Sequence, residues 1–261
     1  YMKAIHGGKS KNDKIDSRKI AGLLKAGMFP LAYVYPKKMR ATRDLLRRRN
    51  HFMRKRAELL AHIVNTGSQY NMQEPFGRIR RKNHREGLVE KFGNPDVKKS
   101  IAADVEMLDA YDKVIASMEY EIQKSAKNHD PVSYALLRTL PGIGEILGLV
   151  ILYEIGDIER FSRVQDFASY ARLVKSSRES AGKVYGSGGA KIGNAHLKWA
   201  FSEAAKLFTR WNEPAEKYKE KLARKHSKGK ALSIIAHKLG RAVYYMLKNK
   251  EPFDQKRLLG Y

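Results

Sequence analysis

A serine in a glycine-rich stretch is the first candidate for chemistry in this chain. Ser180 lies in "SSRESAGKVYGSGG" (residues 176–189), close to Arg178 and Lys183. A serine hydroxyl is a weak nucleophile without help, and two nearby cations could offset the negative charge that develops when it attacks a phosphate. The same composition also describes a solvated surface loop with no chemistry, and the stretch alone leaves both readings open.

A pair of carboxylates near the start of the chain is the second candidate. Asp13 and Asp16 lie in "NDKIDSRKIA", and residues three apart on a helix share one face. Carboxylate oxygens are hard ligands suited to Mg²⁺, and such ions can stabilise an in-line phosphoryl transfer. The alternative is a pair of ordinary charges at the N-terminus of a helix, neutralised by the neighbouring lysines and arginine.

A glycine-containing turn is the third candidate. Two apolar, helix-like segments meet at "PGIG", which places Pro141, Gly142 and Gly144 at a sharp turn that resembles a helix-hairpin-helix motif. Glycine allows such a turn without a Cβ clash. The N-terminus of the second helix would then offer free N–H groups to a phosphate, without reading sequence. The alternative is a plain corner between two packed helices.

The overall charge indicates the kind of partner. The 261 residues include 52 Lys and Arg against 27 Asp and Glu, giving a net charge of +25 and an isoelectric point near 10.0. Such an excess repels itself unless a polyanion neutralises it, which favours DNA or RNA as the partner. The alternative is a ribosomal or generally adhesive basic protein. The absence of cysteine excludes disulfides and thiolate metal sites and is typical of the cytoplasm. No apolar run approaches the roughly 18 residues of a membrane span, so no membrane partner is expected.

The secondary-structure elements that would hold these candidate residues in place are predicted to be mainly helical. A short helix is expected within residues 9–27, followed by two long helices whose apolar residues recur every seven positions. A seven-residue period is typical of coiled coils, although ordinary helix packing explains it equally well. The first long helix is rich in arginine, and Arg47 and Arg48 are candidate phosphate contacts. Beyond residue 131 the pattern is helical except for the serine- and glycine-rich stretch, which is expected to be an irregular loop.

Taken in order, these features resemble one known family. The matching stretches are "KNDKIDSRKIAGLLKAG", "AYVYPKKMRATRDLLRRRNHFMRKRAELLAHI", "LRTLPGIGEILGLVILYEIGDIERF" and "FASYARLVKSSRESAGKVYGSGGAKIGNAHLKWAFSEAA". They resemble the DEDD transposases of bacterial insertion sequences, also called bridge recombinases, which are related to Piv-type DNA invertases. The resemblance leaves little of the chain unmatched.

The resemblance implies a domain order. Residues 1–36 would be the C-terminal remnant of a RuvC-like (RNase H-type) α/β domain, and residues 37–130 a helical coiled-coil region. Residues 131–261 would be an α-helical transposase domain with a helix-hairpin-helix motif and a catalytic-serine loop. The expected fold class is therefore mainly α, with only a remnant of the α/β domain.

The resemblance also implies site residues and partners. Asp13 and Asp16 match the last two acids of an Asp-Glu-Asp-Asp quartet that binds Mg²⁺, and Ser180 matches the serine that attacks DNA. Ser176 and Ser177 match that position less well, and Ala181 stands where many relatives have glycine. The implied partners are DNA, a structured guide RNA and further copies of the chain in a dimer or tetramer, at the nucleoid in the cytoplasm.

One departure from the family pattern affects the expected activity. The first Asp and the Glu of the quartet lie upstream in relatives, and this sequence starts after the region where they occur. Two carboxylates should bind Mg²⁺ weakly, so we expect this chain alone to be inactive or nearly so. Three functions stay open: a transposase with a serine nucleophile and Mg²⁺-assisted acids, an invertase with the same chemistry, and a noncatalytic DNA- or RNA-binding remnant.

Overall fold

The structure is a computed structural model that describes residues 12–29, 32–72, 76–126, 129–188 and 192–260. As expected, these residues are mainly helical. The α-helices are α1 (Asp13–Lys25), α2 (Lys37–Gln69), α3 (Pro95–Ala126), α4 (Pro131–Arg138), α5 (Glu145–Ile155), α6 (Val164–Tyr170), α7 (Ala195–Arg210), α8 (Glu213–Lys225), α9 (Lys228–Asn249) and α10 (Gln255–Leu259). Short 3₁₀ turns cover Phe76–Arg80, Lys82–His84, Val89–Lys91 and Ile158–Arg160. The strands are β1 (Ser176–Ser180) and β2 (Lys183–Gly188).

The chain divides into two compact units, residues 1–36 and 37–261. In the first unit, α1 begins where the side chain of Asn12 accepts a hydrogen bond of 2.8 Å from the backbone N–H of Ile15. The helix ends just before Gly27, which has a φ of +65°. This confirms the helix expected there. The assignment of residues 1–36 to a RuvC-like domain stays a prediction, as do the other domain limits.

The two long helices of the second unit pack against each other in antiparallel directions. Arg49 pairs with Glu119 near one end, and His62 pairs with Asp104 near the other. The isoleucines and leucine that recur every seven residues along α3 are all buried, as the sequence period predicts: Ile101, Leu108, Ile115 and Ile122. The supercoiling that defines a coiled coil stays a prediction.

The segment between the two long helices folds back onto them. Leu88 and Phe92 from this segment join Leu60, Ile101 and Leu108 in one buried apolar cluster. The guanidinium group of Arg85, on the same segment, is buried and donates hydrogen bonds of 2.5 Å to Asp109 and 2.7 Å to Asp112. These two carboxylates compensate the burial of the guanidinium charge.

A second, larger core surrounds α5. Every residue of α5 from Leu147 to Ile155 is buried, because helices α4 and α7 and the nearer ends of α2 and α3 pack around it. A helix that is apolar on all sides must be central in this way. No helix in the described ranges is long and apolar enough to cross a membrane.

The serine- and glycine-rich stretch is a β-hairpin, so the expectation of an irregular loop was wrong. β1 and β2 pair in antiparallel fashion, with Ser180 opposite Lys183. The two turn residues, Ala181 and Gly182, have φ values of +48° and +71°. Positive φ at both positions gives the turn twist that matches two antiparallel strands. Serine and glycine are poor strand formers, so the composition concealed the pairing.

Candidate functional site

Ser180 lies at the tip of the hairpin. It is the last residue of β1 and is exposed, and its hydroxyl has no hydrogen-bond partner within the described residues. The cross-strand neighbour is Lys183, which is also exposed. Arg178 pairs through its backbone with Gly186, while its side chain lies outside the described part of the structure. The hairpin therefore presents a hydroxyl and a lysine together to solvent, at a position that an extended substrate could reach.

The two ends of the hairpin segment are attached to the helical core side by side. Arg172 donates a hydrogen bond of 2.9 Å to the carbonyl of Gly193, and the backbone N–H of Asn194 donates one of 2.6 Å to the carbonyl of Tyr170. Gly193 has a φ of +90°, and a Cβ there would lie 2.6 Å from the Tyr170 oxygen. Only glycine fits at this position, where two segments of the chain cross.

Asn194 connects the hairpin to the core through its side chain. Its Oδ1 accepts hydrogen bonds from the backbone N–H groups of His196 and Leu197, which caps α7. Its Nδ2 donates a hydrogen bond of 2.7 Å to Glu154 of α5. Asn194, which lies between the end of β2 and the start of α7, is thereby fixed to both α7 and α5.

Glu154 is the centre of a buried charge network. The residue is only 2% exposed. Arg43 donates to Glu154 Oε2 at 3.0 Å, and Arg47 donates to Oε1 at 2.6 Å and to Oε2 at 2.9 Å. Burial by itself would raise the pKa of the Glu154 carboxyl, but the hydrogen bonds from Arg47 and Asn194 and the charges of both arginines outweigh it, so the pKa is lowered.

This network was not anticipated from the sequence. The signals for it are a single acid in the apolar run "ILGLVILYEIG" and two arginines, Arg43 and Arg47, four residues apart on the preceding long helix. A lone carboxylate in a central helix must find cations, and residues four apart share a helix face. Glu154 therefore joins α2, α5 and the start of α7.

The two arginines predicted to contact nucleic acid have different surroundings. Arg47 is partly exposed, and its guanidinium group is bound to Glu154. Arg48 is exposed, with its guanidinium carbon 4.6 Å from the centre of the Phe52 ring. Of the two guanidinium groups, that of Arg48 is the more accessible to a phosphate. Phosphate contact by either residue stays a prediction.

The Pro-Gly-x-Gly turn connects α4 and α5 as expected. α5 begins at Glu145, and its N-cap residue, Gly144, makes no side-chain hydrogen bond. The first N–H groups of α5 therefore point to a part of the surface that an anion could occupy. Glu145 is a competing negative charge at this end, with Arg138 3.9 Å from it. Pro141 and Gly144 are exposed, and the helix-hairpin-helix assignment stays a prediction.

The two glycines of this turn provide a matched pair of variants. Gly142 has a φ of +94°, and a Cβ there would lie 2.6 Å from the backbone nitrogen of Phe208 in α7. We expect Gly142→Ala to destabilise the protein by about 2–3 kcal/mol, from strained backbone and a forced shift of α7. A Cβ at Gly144 meets no atom within 4 Å, so Gly144→Ala should cost only about 0.5 kcal/mol, which reflects the preference for glycine over alanine at an N-cap.

Urea denaturation followed by circular dichroism measures this difference. A duplex-binding assay on the stable Gly144→Ala variant then tests the exposed N-terminus of α5 separately from folding. Equal stability of the two variants would contradict the close approach of α7 to the turn.

The two candidate metal ligands lie in the first turn of α1. Asp13 is exposed and Asp16 is partly buried. Their oxygens match Mg²⁺ in chemical type, but two carboxylates fall short of the six ligands that this ion requires. Within the described residues, no group of three or more His, Asp or Glu side chains is arranged to hold a metal ion. The assignment of Asp13 and Asp16 as ligands stays a prediction.

Comparisons with known proteins identify sequences that are similar to this chain. Residues 134–220, which run from α4 into α8 and include the hairpin, match the family model "Transposase IS116/IS110/IS902 family". The chain is 22% identical over 251 residues to the transposase for insertion sequence element IS1111A of Coxiella burnetii, across 94% of this chain and 68% of that protein. It is 29% identical over 131 residues to the transposase for insertion sequence element IS1328 of Yersinia enterocolitica, across 48% of this chain and 39% of that protein.

Proposed function

Because the chain belongs to the IS116/IS110/IS902 family of insertion-sequence transposases, we propose that it is a DNA recombinase whose nucleophile is the hydroxyl of Ser180. One observation carries the proposal. The part of the chain that matches the family includes an anchored hairpin, and that hairpin holds an exposed serine hydroxyl at its tip. A hydroxyl in that position can approach a phosphodiester without rearrangement of the core.

The proposed reaction is a pair of transesterifications. The Ser180 oxygen attacks a DNA phosphorus atom and gives up its proton, a serine–phosphate bond forms, and the bond from phosphorus to one deoxyribose oxygen breaks. That deoxyribose oxygen takes a proton and leaves as a free hydroxyl. In the second step a hydroxyl of another strand attacks the same phosphorus, and Ser180 is released. The number of phosphate ester bonds is unchanged, so no external energy source is required.

Nearby charges support this chemistry. Negative charge increases on the phosphate oxygens as the serine attacks, and a cation held close by stabilises it. Lys183 lies opposite Ser180 in the hairpin, and Arg178 is on the same strand. We propose that these two residues offset the phosphate charge.

A Mg²⁺ ion is the proposed cofactor. Asp13 and Asp16 would supply two of its ligands, and the others would come from outside the described residues. When bound, the ion would neutralise charge on the scissile phosphate. The chain's own part in this step is to hold two carboxylates within one helical turn.

The proposed partners follow from the resemblance to bridge recombinases. They are duplex DNA, a structured guide RNA and further copies of this chain in a dimer or tetramer. The net charge of +25 supports binding to both nucleic acids. The exposed Arg48 and the turn at Pro141–Gly144 are proposed to contact phosphates in a sequence-independent way.

A second candidate function is noncatalytic nucleic-acid binding. The observation that favours it is that Asp13 and Asp16 are not part of a larger cluster of acids within the described residues. This function requires only the positive charge. It predicts steep salt dependence of binding without any covalent product.

A denaturing gel distinguishes the two functions. The protein is incubated with labelled DNA of the element end, the element's noncoding RNA and Mg²⁺, in parallel with a version that includes any coding sequence in frame before Tyr1. In the longer version we expect a slowly migrating DNA band that resists detergent and disappears on proteolysis, and a nucleotide-modified peptide containing Ser180 by mass spectrometry. Salt-sensitive binding with no such band in either version would support the noncatalytic function instead.

A further inference from the structure

A cleft of about 370 Å³ lies between α9 and the chain segment that follows it. The residues of α9 that line it, among them Ile234, Arg241 and Tyr245, recur at helical spacing and so share one face. The opposite wall is formed by residues 251–254 and by α10. The volume falls within the range of small-ligand sites, roughly 300–1,000 Å³. None of the candidate site residues described above lines this cleft.

The wall opposite α9 is fixed by hydrogen bonds. The backbone N–H of Phe253 donates one of 2.9 Å to the Thr139 hydroxyl, and Asn212 donates one of 2.7 Å to Gln255. Lys238 of α9 donates one of 3.1 Å to the carbonyl of Leu258 across the cleft. The cleft is therefore preformed, which lowers the entropic cost of filling it.

The floor of the cleft is apolar, and its lining carries three cations, Lys238, Arg241 and Arg257, together with two acids, Glu251 and Asp254. Met246 and Leu258 are 4% and 9% exposed, and Phe253 packs beside them. At the rim, Arg241 and Arg257 are exposed, and their guanidinium groups have no hydrogen-bond or ion-pair partner within the described part of the chain.

Two aromatic rings complete the lining. Tyr245 is 39% exposed, and its ring is accessible from the cleft. Burial and the nearby charge of Arg241 lower the pKa of His237, so this imidazole is neutral near pH 7 and can donate and accept hydrogen bonds. An apolar floor, a tyrosine ring and two guanidinium groups together suit a ligand that combines a flat aromatic ring with an anion.

We propose that this cleft binds one unstacked nucleotide of a single-stranded segment, with the base on the apolar floor beside Tyr245 and the phosphate on Arg241 and Arg257. The proposal rests on the function proposed above only in taking nucleic acid as the substrate. Base stacking on tyrosine and phosphate binding by arginine are the general means by which proteins hold single strands.

The position of the cleft next to the Pro-Gly-x-Gly turn supports this ligand. Thr139, which ends α4, binds Phe253 of the cleft wall. The ring of Phe253 lies 5.9 Å from that of Phe208, the residue whose backbone Gly142 approaches. A duplex held at the turn would therefore have a strand near the cleft, into which one nucleotide could be displaced.

Fluorescence anisotropy with labelled 12-nucleotide single strands tests the proposal. Both DNA and RNA strands are used, with inorganic polyphosphate of equal length as a competitor that has no bases. We expect Tyr245→Ala to weaken binding of the strand about tenfold, since stacking of one base contributes about 1–3 kcal/mol. Competition by polyphosphate should be unchanged. The strand that binds more tightly, DNA or RNA, identifies the source of the nucleotide.

Matched controls separate this site from general charge. Tyr120→Ala removes an exposed tyrosine on α3, far along the sequence from the cleft, and should bind as wild type does. Arg241→Gln with Arg257→Gln should weaken strand binding several-fold more than Lys221→Gln with Arg224→Gln, which removes two charges from α8. Thermal melting checks that each variant is folded.

Two results would overturn the proposal. One is wild-type affinity for both strands in the Tyr245→Ala variant. The other is a loss in the Arg241/Arg257 variant no greater than in the α8 control. Neither measurement needs catalysis, so a missing covalent DNA product would count against Ser180 and leave the cleft unaffected.

Discussion

In the longer version that includes any in-frame coding sequence before Tyr1, replacing Ser180 with alanine should abolish the covalent protein–DNA product and leave nucleic-acid binding unchanged. The hydroxyl is the proposed attacking group, and alanine has no substitute for it, so we expect product formation to fall by a factor on the order of 10³ or more. The fold should be unaffected, because the residue is exposed and its hydroxyl makes no hydrogen bond within the described residues. The denaturing gel with labelled element-end DNA measures the loss, and anisotropy at fixed salt measures binding.

A neighbouring serine gives the matched control. Ser177 lies on the same strand and pairs through its backbone with Ser187, away from the hairpin tip. Ser177→Ala should therefore form as much covalent product as the wild type. Normal recombination by Ser180→Ala would refute the assignment of the nucleophile, and a loss in Ser177→Ala alone would move it to the other serine.

Removing the buried carboxylate of Glu154 should cost the protein much of its stability. Glu154→Ala leaves Arg43 and Arg47 without their shared anion and Asn194 without its acceptor. Breaking a buried ion pair typically costs 3–5 kcal/mol. The side chain of Arg47 is 33% exposed and can turn towards water, so we expect a loss of about 3 kcal/mol. Urea denaturation measures the free energy of unfolding.

A second variant at position 154 separates the effect of side-chain size on stability from the effect of side-chain charge. Glu154→Gln keeps the shape and should cost less than Glu154→Ala. Glu213→Gln removes an acid from an exposed pair with Lys217 on α8 and should leave stability unchanged. If Glu154→Ala were as stable as Glu213→Gln, the network around Glu154 would not stabilise the fold.

The stabilisation by Glu154 should also depend on pH. The folded protein lowers the pKa of this carboxyl below its ordinary value of 4.5. The unfolded chain therefore binds a proton more readily than the folded one. The contribution is complete above the unfolded pKa and is lost as the pH falls through the folded pKa. The difference in unfolding free energy between the wild type and Glu154→Gln should shrink below about pH 4.5.

Sequence periodicity predicted the long helices well, because their burial pattern is local. The isoleucines of α3 recur at the spacing that keeps one helix face against a partner, and they are buried as that spacing requires. The turn at Pro141–Gly144 was also located correctly. The turn alone does not explain why Gly142 must be glycine. The backbone of α7, more than sixty positions later in the chain, lies too close to it for a Cβ atom.

The hairpin and the charge network could not be predicted in the same way. Strand pairing between β1 and β2 depends on a turn with two positive φ values, and Ala181 gives little sign of one. Glu154 acquires its role only when α2 and Asn194 meet at α5. The sequence indicates which residue could be the nucleophile, while the attachments that hold it depend on contacts between distant segments.

The division of apolar packing along the two long helices has a mechanical consequence. Met39, Leu46 and Ile122 belong to the core around α5, whereas Leu60, Ile63, Ile101 and Leu108 belong to a separate cluster at the other end of the pair. Among the described residues the two clusters share no member, so local opening of the distal cluster would leave the core around α5 packed. For the recombinase proposed above, this arrangement would confine deformation on binding or releasing nucleic acid to the end of the helix pair away from the core around α5.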